Sequence, residues 1–117
     1  MNTTSTKPQI SFDEFLAIES KLEIRIGQII AAERVPKSYG IKLTVIFGPN
    51  QEDEKTAFTN LGKQYEPENL ITLKVPFITN LTPTEIKGVK SEVMIMVGKS
   101  LDGKDQFEDY SVGTQLI

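Results

Sequence analysis

The groups this chain offers to a ligand are cations and short polar side chains: Arg34, Lys37, Lys42, Lys87 and Lys90, together with Asn80 and Ser91. Lys87 and Lys90 flank Gly88, and Asn80 and Ser91 stand at the two ends of the same stretch. An amide and a hydroxyl can each bond a sugar, a phosphate or a base edge. The competing reading is that they tie down their own loop through turn bonds to the backbone. That reading is favoured for Asn80 and stands level for Ser91. Lys42 lies between Ile41 and Leu43, two positions a strand would bury, so its side chain points outward, either to a phosphate or simply to solvent. Tyr39 and Phe58 supply aromatic faces on which an unpaired base stacks, although Phe58 fits a core position equally well. Met94 and Met96, with Phe58, form the rival set: an adaptable apolar surface of the kind that holds polypeptide.

The 117 residues contain neither cysteine nor histidine. That removes disulfides, thiol catalysis and thiolate metal sites. It also removes the Ser-His-Asp and Cys-His arrangements and most zinc and iron ligand sets. Glu52-Asp53-Glu54 and Glu108-Asp109 lack calcium-loop spacing and read as solvated turns. There is no phosphate-cradling Gly-rich loop and no nucleophile elbow. The expectation is a non-catalytic protein with no metal and no cofactor. A net charge of −3 weighs against a broad, non-specific nucleic-acid binder, which carries an excess of Lys and Arg. Hydrophobic residues make up 38% and are dispersed, with no run long enough to span a bilayer. The start, MNTTSTKPQ, lacks the apolar centre of a secretion signal, so the expected location is cytoplasmic, away from any membrane.

Positioning these groups falls to a single domain over residues 11–117, after a fraying tail over residues 1–10. Ser11-Phe12-Asp13-Glu14 fits a capping box and opens a short helix with Phe12, Phe15 and Leu16 on one side. From Lys21 to Glu33 the period changes: Leu22, Ile24, Ile26 and Ile30 alternate with Glu23, Arg25, Gly27 and Ile29 as a long strand, bent or bulged at Gly27. Ile41, Leu43, Val45 and Phe47 form the buried face of a second strand. A third runs over Lys55–Asn60, then a helical turn over Leu61–Leu70 that Pro67 interrupts. Leu73, Val75 and Phe77 mark a fourth, which Pro76 sends to an edge or to a local break in pairing. The polar Asn80 segment feeds a fifth over Ser91–Val97. A closing apolar group follows: Phe107, Tyr110, Val112, Leu116 and Ile117. Five short strands, a helical insert after the third and no βαβ rhythm predict an all-β fold, best matched by a five-stranded Greek-key OB-fold barrel with a short N-terminal helix and a C-terminal extension. A sandwich is the alternative.

Four motifs then carry a resemblance that spacing alone does not supply. Leu22-Glu23-Ile24-Arg25-Ile26-Gly27 resembles the "(L/V)D(L/I)R(V/T)G" opening strand of the stand-alone tRNA-binding OB domains, which also occur appended to methionyl-tRNA synthetases. Ile41-Lys42-Leu43 resembles their "(L/I)KL" strand, Tyr65 to Leu70 their "YxPEEL" turn, and Asn80 to Met96 their "NLxPRKIxGxxSxGM" element. The pairing of Ile41-Lys42-Leu43 with Lys90-Ser91-Glu92-Val93 is most similar to the CsaA branch, an export-related chaperone that also binds tRNA. The resemblance covers Phe12 to Ile117. It implies a homodimer, with the N-terminal helix and the C-terminal tail in the interface. It also implies tRNA as partner, which would be recognised by shape through Lys42, Lys87, Lys90, Asn80 and Ser91; Arg34 and Lys37, read from the sequence itself, would extend that cationic patch. Unfolded or pre-export polypeptide is the alternative partner. The sequence departs from the pattern where the family commonly writes a basic pair after the proline and this chain has Thr84-Glu85, and again at Ala57-Phe58-Thr59-Asn60. Losing two cations removes up to two phosphate contacts, each about 0.9 in the slope of log K against log salt for duplex.

Overall fold

The computed structural model describes residues 7–107 and 110–116. Residues 7–10 are exposed coil, and the rest of the expected tail, together with Glu108, Asp109 and Ile117, lies outside the described residues. Helix α1 (Phe12–Glu19) opens as its capping box predicts: the Glu14 N–H donates to Ser11 Oγ at 3.1 Å. The Glu14 carboxylate reaches back to the Ser11 hydroxyl at 3.5 Å. None of the helix is buried.

β1 (Ile24–Arg34), β2 (Ile41–Ile46), β3 (Glu54–Thr59) and β4 (Lys74–Ile78) are followed by a hairpin of β5 (Thr84–Ile86) and β6 (Val89–Ser91), then β7 (Met94–Ile95). β3-β2-β1-β4-β7 is the order of one antiparallel sheet, which curls into a nearly closed five-stranded barrel of the OB-like kind. Its core is Ile29, Ile41, Leu43, Val45, Val75, Phe77 and Ile95, with Leu61, Leu70 and Phe107 sealing one end. Phe47 meets Phe77 edge to face at 5.6 Å. Pro67–Asn69 forms the interrupted helical turn, which holds Leu70 inward. Among the described residues no helix is long and apolar enough to cross a membrane.

β1 turns its faces the opposite way from what its aliphatic run suggests. Gly27 and Ile29 point into the barrel, while Ile24, Ile26 and Ile30 point out. The cause is space: a Cβ on Gly27 would sit 2.5 Å from Val45 Cγ1 and 2.7 Å from the Phe47 ring, so only glycine fits there. The bulge falls three residues beyond Gly27. Ile29 pairs with Val45 but Ala31 pairs with Thr44, leaving Ile30 as the extra residue.

Pro76 sits in an interior strand, paired with Ile26 of β1. Its carbonyl accepts the Met96 N–H at 3.0 Å, so the nitrogen that carries no hydrogen faces β7. The reciprocal bond to Met96 cannot form, and β7 pairs with β4 only at Ile95 and Met94. A break in pairing, rather than an edge, is how the fold accommodates this proline.

The expected strand over Ser91–Val97 is split. Val93 and Ile95 are buried and Met94 exposed, as alternation predicts, but Glu92 interrupts the ladder with its own side chain. Its carboxylate accepts the Thr56 N–H and hydroxyl, each at 3.1 Å, and its N–H donates to the Thr56 carbonyl at 2.9 Å. The Phe58 N–H donates to Ser91 Oγ at 3.1 Å, and the Thr56 hydroxyl to the Lys90 carbonyl at 2.6 Å. Side chains thus take over the satisfaction of the β3 edge and bring the barrel close to closure.

The C-terminal extension is a small hairpin, β8 (Gly98–Lys99) and β9 (Asp105–Gln106), fastened by a Lys99–Asp105 ion pair at 2.6 Å. The Ser100 hydroxyl and the Lys104 amide both donate to Asp102 in the turn and hold its carboxyl below the usual carboxylate range. Among the described residues of the closing apolar group, only Phe107 is core, packed on Tyr65 at 4.7 Å. Val112 is 98% exposed, and Tyr110 and Leu116 are partly so.

Candidate functional site

An open groove of about 300 Å³ lies where the end of β1, the start of β2 and the tip of the β5–β6 hairpin meet, lined by Glu33, Arg34, Val35, Pro36, Lys42, Lys87 and Val89. Register explains its charge. Glu33, Lys42 and Phe58 lie side by side across β1, β2 and β3 on the outward face, because Ala32, Leu43 and Ala57 take the inward one. Lys42 Nζ is 3.8 Å from the Glu33 carboxylate. Arg34 Nη2 is 3.2 Å from Glu66, and Nη1 donates to the Gly62 carbonyl at 3.2 Å.

Lys87 reaches the groove from the hairpin tip, where Lys87 at φ 50° and Gly88 at φ 83° make a two-residue turn with both central residues left-handed. Among the described residues no carboxylate stands within ion-pair distance of Lys87. Gly88 is required by its backbone alone, since a Cβ there would meet nothing within 4 Å. The hairpin itself was not expected from the sequence. Within it, Lys90 is exposed on β6 directly across from Glu85, and Thr84 lies across from Ser91. Lys37 is exposed at φ 60° in the β1–β2 turn and does not line the groove.

Asn80 and Ser91 both act as clamps. Asn80 Oδ1 accepts the Glu23 N–H at 2.9 Å and its Nδ2 donates to the Lys21 carbonyl at 2.7 Å. It therefore binds the approach to β1, nearly sixty positions back, and not its own loop. Ser91 accepts the Phe58 N–H as above.

Tyr39 is 55% exposed, with Lys63 Nζ 5.4 Å from its ring centroid. Lys63, Glu33 and Glu66 are site residues that sequence reading missed. Glu33 was findable only from the β1–β2 register, and nothing local marks the other two.

The peptide set divides. Phe58 packs against Gly40, where a Cβ would run into its ring, on the same face as Lys42. Met94 and Met96 lie together in an apolar groove of about 340 Å³ with Ile78, Ile95, Val97 and Leu116. Away from this groove, α1 and the first half of β1 both expose large apolar side chains, Phe12 at 71% and Ile26 at 62%. Among the described residues no group of three or more acids is placed to hold a metal ion.

Comparison with known proteins fits this geometry. A family model described as a putative tRNA binding domain matches residues 24–113. The chain is 39% identical over 102 residues to a methionine–tRNA ligase of Cytophaga hutchinsonii, an alignment covering 86% of this chain and 14% of that protein. It thus spans about one seventh of the length of that relative. Among solved structures, the MetRS-related protein of Pyrococcus horikoshii superimposes with a TM-score of 0.73 at 29% identity, covering 94% of this chain and 95% of the other. The chaperone CsaA of Bacillus anthracis gives 0.66 at 28% identity, covering 90% and 93%. The chain belongs to the tRNA-binding domain family.

Proposed function

We propose that the chain is a non-catalytic module that binds tRNA as a homodimer, reading its shape through phosphate and sugar contacts in the cytoplasm. The observation that carries this reading is the convergence of Lys42, Lys87 and Arg34 on one open groove in a member of a tRNA-binding family. Lysine and arginine at an open groove position a phosphate backbone and carry little base information, which suits shape recognition. Tyr39, exposed beside Lys63, offers one stacking face close by. The dimer is supported by the uncovered apolar residues of α1 and β1, which a second copy would bury. Salt-series binding of unfractionated tRNA tests the reading. Affinity falls steeply from low to physiological salt, and Lys42→Ala weakens binding and flattens the slope by about 0.7–0.9. No binding at low salt refutes it.

A second reading, a polypeptide-binding chaperone, is favoured by one observation, the apolar groove around Met94 and Met96. It calls for suppression of aggregation of an unfolded client that tRNA does not compete away. Absence of that suppression removes it.

A further inference from the structure

The acids around the groove are placed as regularly as the cations. Arg34 is held by Glu66 at 3.2 Å and Lys42 by Glu33 at 3.8 Å, while Lys90 stands across a two-stranded ladder from Glu85. Glu33 differs from the other two in that it lines the groove itself, beside Arg34, Lys42 and Lys87. We infer that Glu33 is a built-in competitor that occupies Lys42 until an RNA phosphate displaces it, and so sets how many contacts a polyanion must make to bind. This rests on the tRNA reading and assigns a role to a residue that reading does not need.

Two effects act in the same direction. A phosphate approaching Lys42 must separate the ammonium from the Glu33 carboxylate, and the released carboxylate stays in the groove, where it repels the phosphate. A polyanion that offers only one contact gains little at such a site. One whose shape also engages Lys87 and Arg34 at the same time offsets the cost through the additional contacts. The carboxylate therefore lowers affinity by a similar factor for every polyanion that uses Lys42, so that only one engaging several cations at once still binds well. Glu33 is free to play this part because it contributes little to the fold: its side chain is 73% exposed, and exposed ion pairs of this length add little to stability.

The test uses the full chain and unfractionated tRNA, with single-stranded homopolymer RNA as the polyanion of wrong shape. Glu33→Gln keeps the side chain's size and removes its charge. Glu52→Gln, in the turn past the far end of β2, makes the same change in net charge away from the groove. Glu33→Gln is expected to tighten tRNA binding by roughly two- to fivefold at low salt, the range of an exposed charge pair. The gain fades as salt rises, because it is electrostatic, while the number of phosphate contacts stays the same. Glu33→Gln tightens homopolymer binding by a similar factor, since the cost removed is the same for any polyanion that uses Lys42. Glu52→Gln matches wild type in affinity. In a Lys42→Ala background the gain from Glu33→Gln shrinks, because its main target is gone, and a structural role would not produce that coupling. If wild type binds tRNA and Glu33→Gln behaves as Glu52→Gln does, the inference falls and the tRNA reading stands. If wild type does not bind tRNA at low salt, both fall.

Discussion

The two halves of β1, divided by the bulge at Ile30, expose opposite chemistry on the outside of the same barrel. Before the bulge the outward residues are Ile24 and Ile26, exposed like the apolar residues of α1. Beyond it they are Ala31 and Glu33, and the cations nearby are met by acids. One extra residue re-phases the strand, so the core continues inward as Ile29 and then Ala32 while the exterior changes character. The difference separates two needs. The first half has surface to bury and lacks cover, so it gains most from a second copy. The second half has its charge largely neutralised and gains only from a ligand that carries several phosphates at the right spacing.

The largest expected effect tests the first half. Ile26→Asp places a carboxylate on the proposed dimer face, and two-fold symmetry counts the loss twice. Burying an isoleucine is worth about 1.5–3 kcal/mol, so the two copies together lose roughly two to four orders of magnitude in dimer affinity. Light scattering at micromolar concentration then reads a monomer where wild type reads a dimer. Ile26 points away from the core, so thermal unfolding of the monomer itself changes little. A wild-type monomer of 13.1 kDa, or a variant that still dimerises, breaks the comparison at this half.

Next in size is Ser91→Ala, which sharpens the boundary between holding the groove and contacting the ligand. The Phe58 N–H loses its acceptor in a half-buried site, a cost of about 1–3 kcal/mol. The expected result is a lower midpoint in urea with unchanged tRNA affinity for the folded protein. A drop in affinity at full stability would restore Ser91 to the contact surface.

How far the sequence discloses this arrangement depends on whether the cause is local. The capping box at Ser11, the alternation of Ile41, Leu43 and Val45, and the Pro67 turn are read within one element and appear in the fold as expected. The barrel architecture follows from strand count and motif order. The inward face of β1 could not be read so, because an aliphatic pattern points to Ile24 and Ile26 while Gly27 is set by Val45 on β2 and by Phe47 just past its end. The site is less legible for the same reason. Lys42 facing outward is local, but its partner Glu33 depends on register across β1 and β2. The role of Asn80 depends on Lys21 and Glu23, which only tertiary structure brings near. The β5–β6 hairpin stayed hidden because its strands are three residues each and its turn is Lys-Gly, where Asn-Gly is the usual signal.

That turn supplies the smallest effect, at the one groove cation not held by an acid among the described residues. Lys87 adopts φ 50°, a left-handed conformation that costs a side chain with a Cβ about 1–2 kcal/mol and that Asn tolerates better. A lysine there is a poor choice for the turn and a good one for a phosphate, since the tip places it at the groove that Lys42 also lines. Lys87→Asn should therefore move two measurements in opposite directions. Relief of roughly 0.5 kcal/mol of strain raises the melting temperature by about 2–4 °C for a domain of this size, while loss of the cation weakens tRNA binding and lowers the salt slope by about 0.7–0.9. Stability rising with affinity unchanged would leave Lys87 as a solvated turn residue and confine the charged half of β1 to Lys42 and Arg34. Affinity falling with stability unchanged would mean the hairpin accommodates lysine without strain, and the cation's position would then owe nothing to a trade against the backbone.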